Sequence, residues 1–254
     1  MSNLSPTLMP QPIGVCSAND TQVTVACGRD LLVFTIGAGG QLTEVSKGTL
    51  DHEVACVDIT PAPGASASDL MLVGMWTDHS ARVLKVSDLT MVARHDIGGD
   101  IVPRSALMVR LEDTDFALVA MGDGSMNYSK LDRASGVLAD SKRVQLGTRP
   151  VLLQTFVTGG MLYVFASSDR PTVMYSSNGK ILFSHVSLAE STCMCTLNTD
   201  VYKDWCAAGG HDLIALRFVK FCYVALDLNT HAFRLFASAP LRFAVLQPCH
   251  CQRG

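Results

Sequence analysis

The run VGMWTDHSARVLKV, residues 73–86, is apolar, breaks at Thr77-Asp78-His79-Ser80, and then resumes. Two later stretches break the same way: FALVAMGDGSMNYSKL (116–131) and LYVFASSDRPTVMYSS (162–177). Their aspartates, Asp78, Asp123 and Asp169, lie 45 and 46 residues apart, and a weaker upstream copy, TVACGRDLLVFTI, puts Asp30 another 48 back. A second marker runs in step. DIGGDIVPRS and QLGTRPVLL each carry glycine and then proline ahead of an apolar run, with Pro103 and Pro150 47 residues apart. Two different markers on one period define an internal repeat.

That period restricts the architecture. Helical repeats of this length need apolar residues at three- and four-residue spacing. Here the apolar runs are short, rich in Val, Leu, Phe and Met, and bounded by Gly, Asp, Ser and Pro, the strand-and-turn pattern. One unit divides into four strands: RSALMVRL, FALVAM, MNYSKL after a tight Asp-containing turn, and an outer LADSKRVQL. Asp123-Gly124 and Asn178-Gly179 supply the positive φ of two-residue hairpins. Four strands in about 45 residues make one blade of a β-propeller. The sequence therefore predicts an all-β, WD40-like propeller of antiparallel blades. Residues 1–14 are expected to be disordered or a partial strand, and 15–190 to hold three to four blades. Residues 191–254 form a divergent tail, with a further partial blade as one reading of it.

Composition sets the outer bounds. With 254 residues, 48% hydrophobic and 17% charged, the chain can bury a sizeable core. A net charge of −3 gives no general attraction to nucleic acid phosphates. DSKRVQLGTR (140–149) is the densest basic stretch and is expected to be a solvated outer edge. No run reaches the ~20 apolar residues of a membrane span, and MSNLSPTLMP lacks a charged-then-apolar leader. The expected setting is the nucleus and cytoplasm, with no membrane partner.

Chemistry-bearing motifs are scarce. There is no G-x-S-x-G, no H-E-x-x-H and no P-loop, and GAGGQL (37–42) is expected to be a turn. Asp78, Asp123 and Asp169 fall one per repeat, so they are expected to cap their own turns rather than meet as a carboxylate set. His52 and His79 flank strands and are assigned to the surface or to a satisfied interior. Cys16, Cys27 and Cys56 are expected to be small core residues. Cys193, Cys195, Cys206, Cys222, Cys249 and Cys251 crowd the last quarter, but C-x-C pairs fit no structural zinc spacing. No metal, cofactor or catalytic residue is assigned, and the expectation is a non-enzyme.

Several stretches carry a resemblance: LDHEVACVDITP (50–61), GMWTDHSARVLKV (74–86), IGGDIVPRSALM (97–108), LGTRP (146–150) and SSDRPTVMYSSNGKILFSHVSL (167–188). Here the chain resembles the large subunit of the damage-specific DNA-binding protein, from about residue 15 to MCTLNTDVYKD (194–204). That family also includes the large subunits of the polyadenylation-specificity and splicing complexes. The resemblance implies a part of the middle of three seven-bladed propellers. It also implies an adaptor role in cullin-four RING ubiquitin ligases, where that propeller holds the cullin scaffold. The parent protein's other propellers clamp interchangeable substrate receptors. A role in the DNA damage response, with nucleic acid reached only indirectly or weakly, follows from the same likeness. The alternatives are a nucleic-acid scaffold like the polyadenylation and splicing cousins, or a truncated non-functional product. After residue 204 neither marker recurs in phase, and a diverged blade, an alternative exon and a gene-model artefact all stand as readings of the tail.

Two further expectations follow. A partial propeller should leave the outer faces of its first and last blades uncovered, which makes the chain prone to instability and aggregation unless the tail or a partner covers them. The partner surface is expected at Trp76, with Thr77, His79 and Arg82 on the same hairpin as its rim, because Trp is favoured at interface hot spots. Packing between blades is the competing reading of Trp76.

Overall fold

The computed structural model describes residues 14–197, 205–210, 213–219, 222–227 and 233–237. All regular structure in them is β-strand, arranged as five consecutive antiparallel sheets. Sheet 1 holds β1 (Val15–Ala18), β2 (Gln22–Cys27), β3 (Asp30–Ile36) and β4 (Leu42–Thr49). Sheet 2 holds β5 (Val54–Asp58), β6 (Leu70–Met75), β7 (Ser80–Lys85) and β8 (Met91–Asp96). Sheet 3 holds β9 (Pro103–Leu111), β10 (Thr114–Met121), β11 (Ser125–Leu131) and β12 (Leu138–Gln145). Sheet 4 holds β13 (Leu152–Thr158), β14 (Met161–Ser167), β15 (Thr172–Ser177) and β16 (Lys180–His185). Sheet 5 has five strands: β17 (Ser191–Leu197), β18 (Trp205–Gly210), β19 (Leu213–Val219), β20 (Cys222–Asp227) and β21 (Phe233–Ala237). This is an incomplete β-propeller. Residues 1–13, assigned above to disorder or a partial strand, lie outside the described residues.

The continuous apolar runs have a simple cause: each middle strand is buried on both faces. Along β6, Met71, Val73 and Met75 enter the core shared with sheet 1, whereas Leu70 and Leu72 enter the core shared with sheet 3. Along β10, Ala117, Val119 and Met121 turn back to sheet 2, and Phe116, Leu118 and Ala120 turn forward to sheet 4. Period-two alternation thus survives as a choice of neighbour rather than as polar against apolar. A fourth core joins sheets 4 and 5 through Phe156, Phe165, Met194, Cys206 and Leu216. The first strands lie against one another, β1 on β5, β5 on β9, β9 on β13 and β13 on β17, and so form the inner wall. The fourth strands are outermost and carry the charge, as β12 does with Asp140, Lys142 and Arg143 exposed.

The outer faces of the end sheets are not bare, contrary to the expectation for a partial propeller. On β3, Leu31 and Val33 face sheet 2, yet Leu32 and Phe34 on the other face are only 1% and 7% exposed. On sheet 5, Ala207 and Ala215 alternate with the residues facing sheet 4 and are also buried. Sheet 5 itself forms where neither sequence marker recurs.

Antiparallel order places the second-to-third-strand turns and the inter-sheet linkers at one rim, and the remaining hairpins at the other. At the first rim each linker is hydrogen-bonded to the turns beside it. Ile97 N donates to His79 O at 3.1 Å, Leu146 N and Gly147 N donate to Gly124 O, and Ser191 N donates to Ser168 O. Forward links follow from Trp76 N to Glu53 O at 2.7 Å and from Gly122 N to Val102 O at 3.0 Å. Linkers and turns together make a continuous backbone belt. Pro103 opens β9 and packs against Gly74 of sheet 2, where an added Cβ would sit 2.8 Å from the proline ring.

Candidate functional site

The four turn aspartates all lie on this belt, but they do different work. Asp78 accepts from Ser80 N at 3.3 Å and Ser80 Oγ at 2.8 Å, an Asx cap of its own turn. It also takes Arg82 Nη2 at 2.5 Å and lies 3.5 Å from Arg94 Nη2. Asp123 repeats the plan with Ser125 N at 2.9 Å, Ser125 Oγ at 2.6 Å and Arg143 Nη2 at 2.9 Å. Asp30, the weaker copy, accepts from Thr49 Oγ1 on the neighbouring strand, at 2.6 Å.

Asp169 departs from the expectation. Among the described residues it makes no cap of its own turn, where Ser168 Oγ accepts from Arg170 N instead, and it reaches to the linker between sheets 3 and 4. It accepts from Thr148 N at 2.8 Å, Thr148 Oγ1 at 2.8 Å and Arg149 N at 3.2 Å. The close approach explains the glycine of the second marker: a Cβ on Gly147 would lie 2.2 Å from Asp169 Oδ1. Pro150 then follows, exposed, as the chain turns down into Val151, whose N–H donates to Met121 O. The hairpin expectation also splits. Asn178 and Gly179 both have positive φ, 53° and 70°, whereas at Asp123-Gly124 only Gly124 does, at 84°.

Around Trp76 the predicted residues separate into two pairs. Trp76 is 44% exposed, and the Arg104 guanidinium lies 5.8 Å from its ring centroid, within cation–π range. Thr77 is exposed beside it, and its Oγ1 bonds His52 Nδ1 at 2.7 Å. His79 is half-buried in the turn itself, and Arg82 is not a rim residue. His79 has φ 48°, occupies the turn position that Gly124 fills in sheet 3, and buries its Nδ1. Arg82 is 4% exposed. Its guanidinium is held by Asp78 and by both oxygens of Asp51, on the preceding linker.

The charges follow this geometry. The hydrogen bond from Arg82 is the main cause holding Asp51 below the ordinary carboxylate range. Burial pushes Asp78 up, but hydrogen bonds from Arg82 and Ser80 overcome it and leave the group lowered. Asp169 shows the same balance against Thr148 and Arg149. These carboxylates are charged anchors inside the belt and are not poised for proton transfer. The residues missed by sequence reasoning are Arg104, Asp51 and Arg94. Arg104 stands next to the Pro103 marker, but its meeting with Trp76 depends on how sheets 2 and 3 pack.

The interior cysteines are sealed from solvent. Cys27, Cys56 and Cys206 are buried, and desolvation pushes the Cys56 thiol up to about 12. Cys16, expected in the core, is exposed on β1, as are Cys193 and Cys195 on β17. Among the described residues no group of His, Cys, Asp or Glu is arranged to hold a metal ion.

Comparison with known proteins follows the same lines. Residues 5–208 match the family described as the RSE1/DDB1/CPSF1 second β-propeller. DNA damage-binding protein 1 of Drosophila melanogaster is 46% identical over 205 residues, 80% of this chain and 18% of the relative. That of Oryza sativa subsp. japonica is 45% identical over 193 residues, 76% of this chain and 18% of the relative. That of Solanum lycopersicum is 42% identical over 228 residues, 88% of this chain and 21% of the relative. The chain thus spans about a fifth of the length of these curated relatives.

Proposed function

Because the chain belongs to the RSE1/DDB1/CPSF1 second-propeller family, we propose that it is a non-enzymatic docking platform whose turn rim takes a cullin scaffold protein. In this reading it helps join a cullin-RING ubiquitin ligase to substrate receptors carried by the longer parent. The DNA damage in the relatives' name is then reached through a receptor rather than through this propeller.

The observation that carries the proposal is the half-exposed Trp76 on a rigid belt. An exposed Trp whose backbone N–H is tied to Glu53 O, with Arg104 over its ring, has few rotors left to lose on binding. Asp51, exposed and charged, lies beside His52 on the preceding linker and provides a polar edge to the same rim. Arg82 and His79 support that surface from below.

The test is binding of a purified cullin-four N-terminal region to this chain and to its Trp76→Ala variant, by calorimetry. The expected outcome is a loss of about 2 kcal/mol, close to thirty-fold in affinity, with an unchanged melting curve. Equal affinity in the two proteins refutes Trp76 as the anchor. Failure of the unmodified chain to bind refutes the platform reading.

A further inference from the structure

A groove of about 440 Å³ opens on the opposite rim, between the outer strands of sheets 3 and 4. It lies far from the Trp76 belt in the topology, at the end that carries the β9–β10, β11–β12 and β15–β16 hairpins. Its floor is the end of the core shared by the two sheets. Phe116 is 2% exposed and Ile181 8%, with half-buried Tyr128 tilted against Phe183 at 6.0 Å. Its walls are cationic: Lys130 and Lys142 come from sheet 3, and Lys180 from the tip of the sheet 4 hairpin. Among the described residues Asp140 is the only acidic one in the lining. The chain as a whole is acidic, at −3, so this concentration of lysine is local.

Two backbone irregularities build the groove. The β11–β12 pairing slips between Tyr128 and Lys130, a bulge that aims both flanking side chains, and Asp140 sits on it with φ 52°. Across the gap, Asn178 and Gly179 form a tight turn with both φ positive and so set Lys180 at the lip. Lys130 is already engaged by Asp140 at 2.7 Å, whereas among the described residues Lys142 and Lys180 make no ion pair. Glu112, on the same rim, does not line the groove and accepts from Ser176 Oγ at 3.0 Å.

We propose that this groove docks an acidic peptide segment of a partner protein that carries an apolar side chain among its carboxylates. The apolar side chain covers Phe116 and Tyr128, and the flanking carboxylates meet Lys142 and Lys180. The volume falls in the range of about 300–1,000 Å³ typical of clefts that enclose a ligand, which is far larger than a single inorganic anion needs. An aromatic floor would be idle under a bare phosphate. Lysine point charges also lack the planar fork that selects phosphate by geometry.

The proposal does not depend on the cullin reading, and its test is separate from that one. The probe is a fluorescein-labelled peptide, Glu-Glu-Phe-Glu-Glu, followed by anisotropy on the full chain at low and moderate salt. Saturable, salt-weakened binding is expected, at least threefold weaker for Glu-Glu-Gly-Glu-Glu and absent for Lys-Lys-Phe-Lys-Lys. The paired variant Lys142→Glu with Lys180→Glu should lose at least tenfold in affinity. A control of equal net charge, Lys47→Glu with Lys85→Glu on sheets 1 and 2, should lose less than threefold. Asp140→Asn keeps a residue that tolerates positive φ and removes the competing carboxylate, so it should strengthen binding. All substituted side chains are exposed, and a melting curve on each variant checks the fold. No saturable binding, or equal losses in the two charge-reversal pairs, overturns the proposal. Displacement of the peptide by pyrophosphate at the peptide's own concentration overturns it in favour of a bare anion site.

Discussion

The turn of sheet 2 at residues 75–80 and the turn of sheet 4 at 167–172 carry the same repeat aspartate and use it in opposite directions. Asp78 faces its own sheet. It caps Ser80 and neutralises Arg82, a guanidinium only 4% exposed. Asp169 leaves its own sheet and holds Thr148 and Arg149 of the linker before it. The difference follows from what sits below each turn. Sheet 2 places an arginine at 82, whereas the paired position in sheet 3 is Asn127, and its outer-strand neighbour Arg143 supplies the charge from outside. In sheet 4 the turn's own Arg170 makes no ion pair with Asp169 among the described residues, and the carboxylate is spent on the incoming chain. A repeat aspartate therefore marks where a carboxylate stands, and the neighbouring sheet decides what it holds.

The first way to break the comparison is to remove the buried charge. Arg82→Ala leaves Asp78 and Asp51 facing each other without their cation, and losing one partner of a buried pair costs about 3 kcal/mol. For a chain of this size the melting midpoint should fall by roughly 6–12 °C. A fall under about 2 °C would mean that Arg94 and His52, which already approach Asp78 at 3.5 and 3.9 Å, take over the neutralisation.

The Asp169 clasp should cost less, because its donors are exposed and water can replace it. Asp169→Ala removes the acceptor for Thr148 and Arg149, for about 1–2 kcal/mol. Gly147→Ala should cost a similar amount by pushing the same carboxylate away, since the new Cβ would overlap its oxygen. The sharper reading is the double variant. If both changes act on one contact, their sum exceeds the effect measured together, whereas independent sites add. Additivity in thermal or urea melts would show that Gly147 serves only its own backbone.

The repeat and its strands were legible because two markers kept step and the apolar runs had strand length. What the markers do was only half legible. The Asp-x-Ser spacing at 78–80 and 123–125 is local, so an Asx cap could be read from the string. The Asp169 contact joins residues about 20 apart across two sheets, and the Asp51–Arg82 pair spans 31 positions. Such contacts follow from how sheets pack, which a single sequence does not display. The same holds for Trp76 and Arg104. Sheet 5 was legible only as one reading of the tail, a further partial blade, for another reason. It forms from apolar segments alone, without the turn aspartate or the Gly-Pro marker that made the other sheets visible.

A third carboxylate sharpens the contrast and carries the smallest expected effect. Asp58 lies on the inner strand β5, 7% exposed, and accepts from Met108 N of sheet 3 at 2.7 Å and from Thr60 Oγ1 at 2.9 Å. Here desolvation outweighs those hydrogen bonds and the charge of Arg133, so its carboxyl is raised where those of the rim are lowered. The two groups must respond to pH with opposite signs. The rim aspartates contribute stability above the unfolded value of about 3.9, and it is lost as pH falls through their lower folded values. Asp58 contributes most below that value, and its contribution is lost as pH rises toward its higher folded value. Asp58→Asn can keep both contacts: the amide oxygen takes Met108 N–H, and the amide NH₂ donates to Thr60 Oγ1, a hydroxyl that also accepts. Relative to the native chain the variant should gain stability between pH 4 and neutrality, by less than about 1.4 kcal/mol for each unit by which the native carboxyl is raised. Urea melts of both proteins at pH 4.5, 6.0 and 7.5 measure this directly. A difference that stays constant with pH would mean that Asp58 keeps one protonation state across the window, and that its burial is compensated by Arg133 as fully as Asp78 is by Arg82.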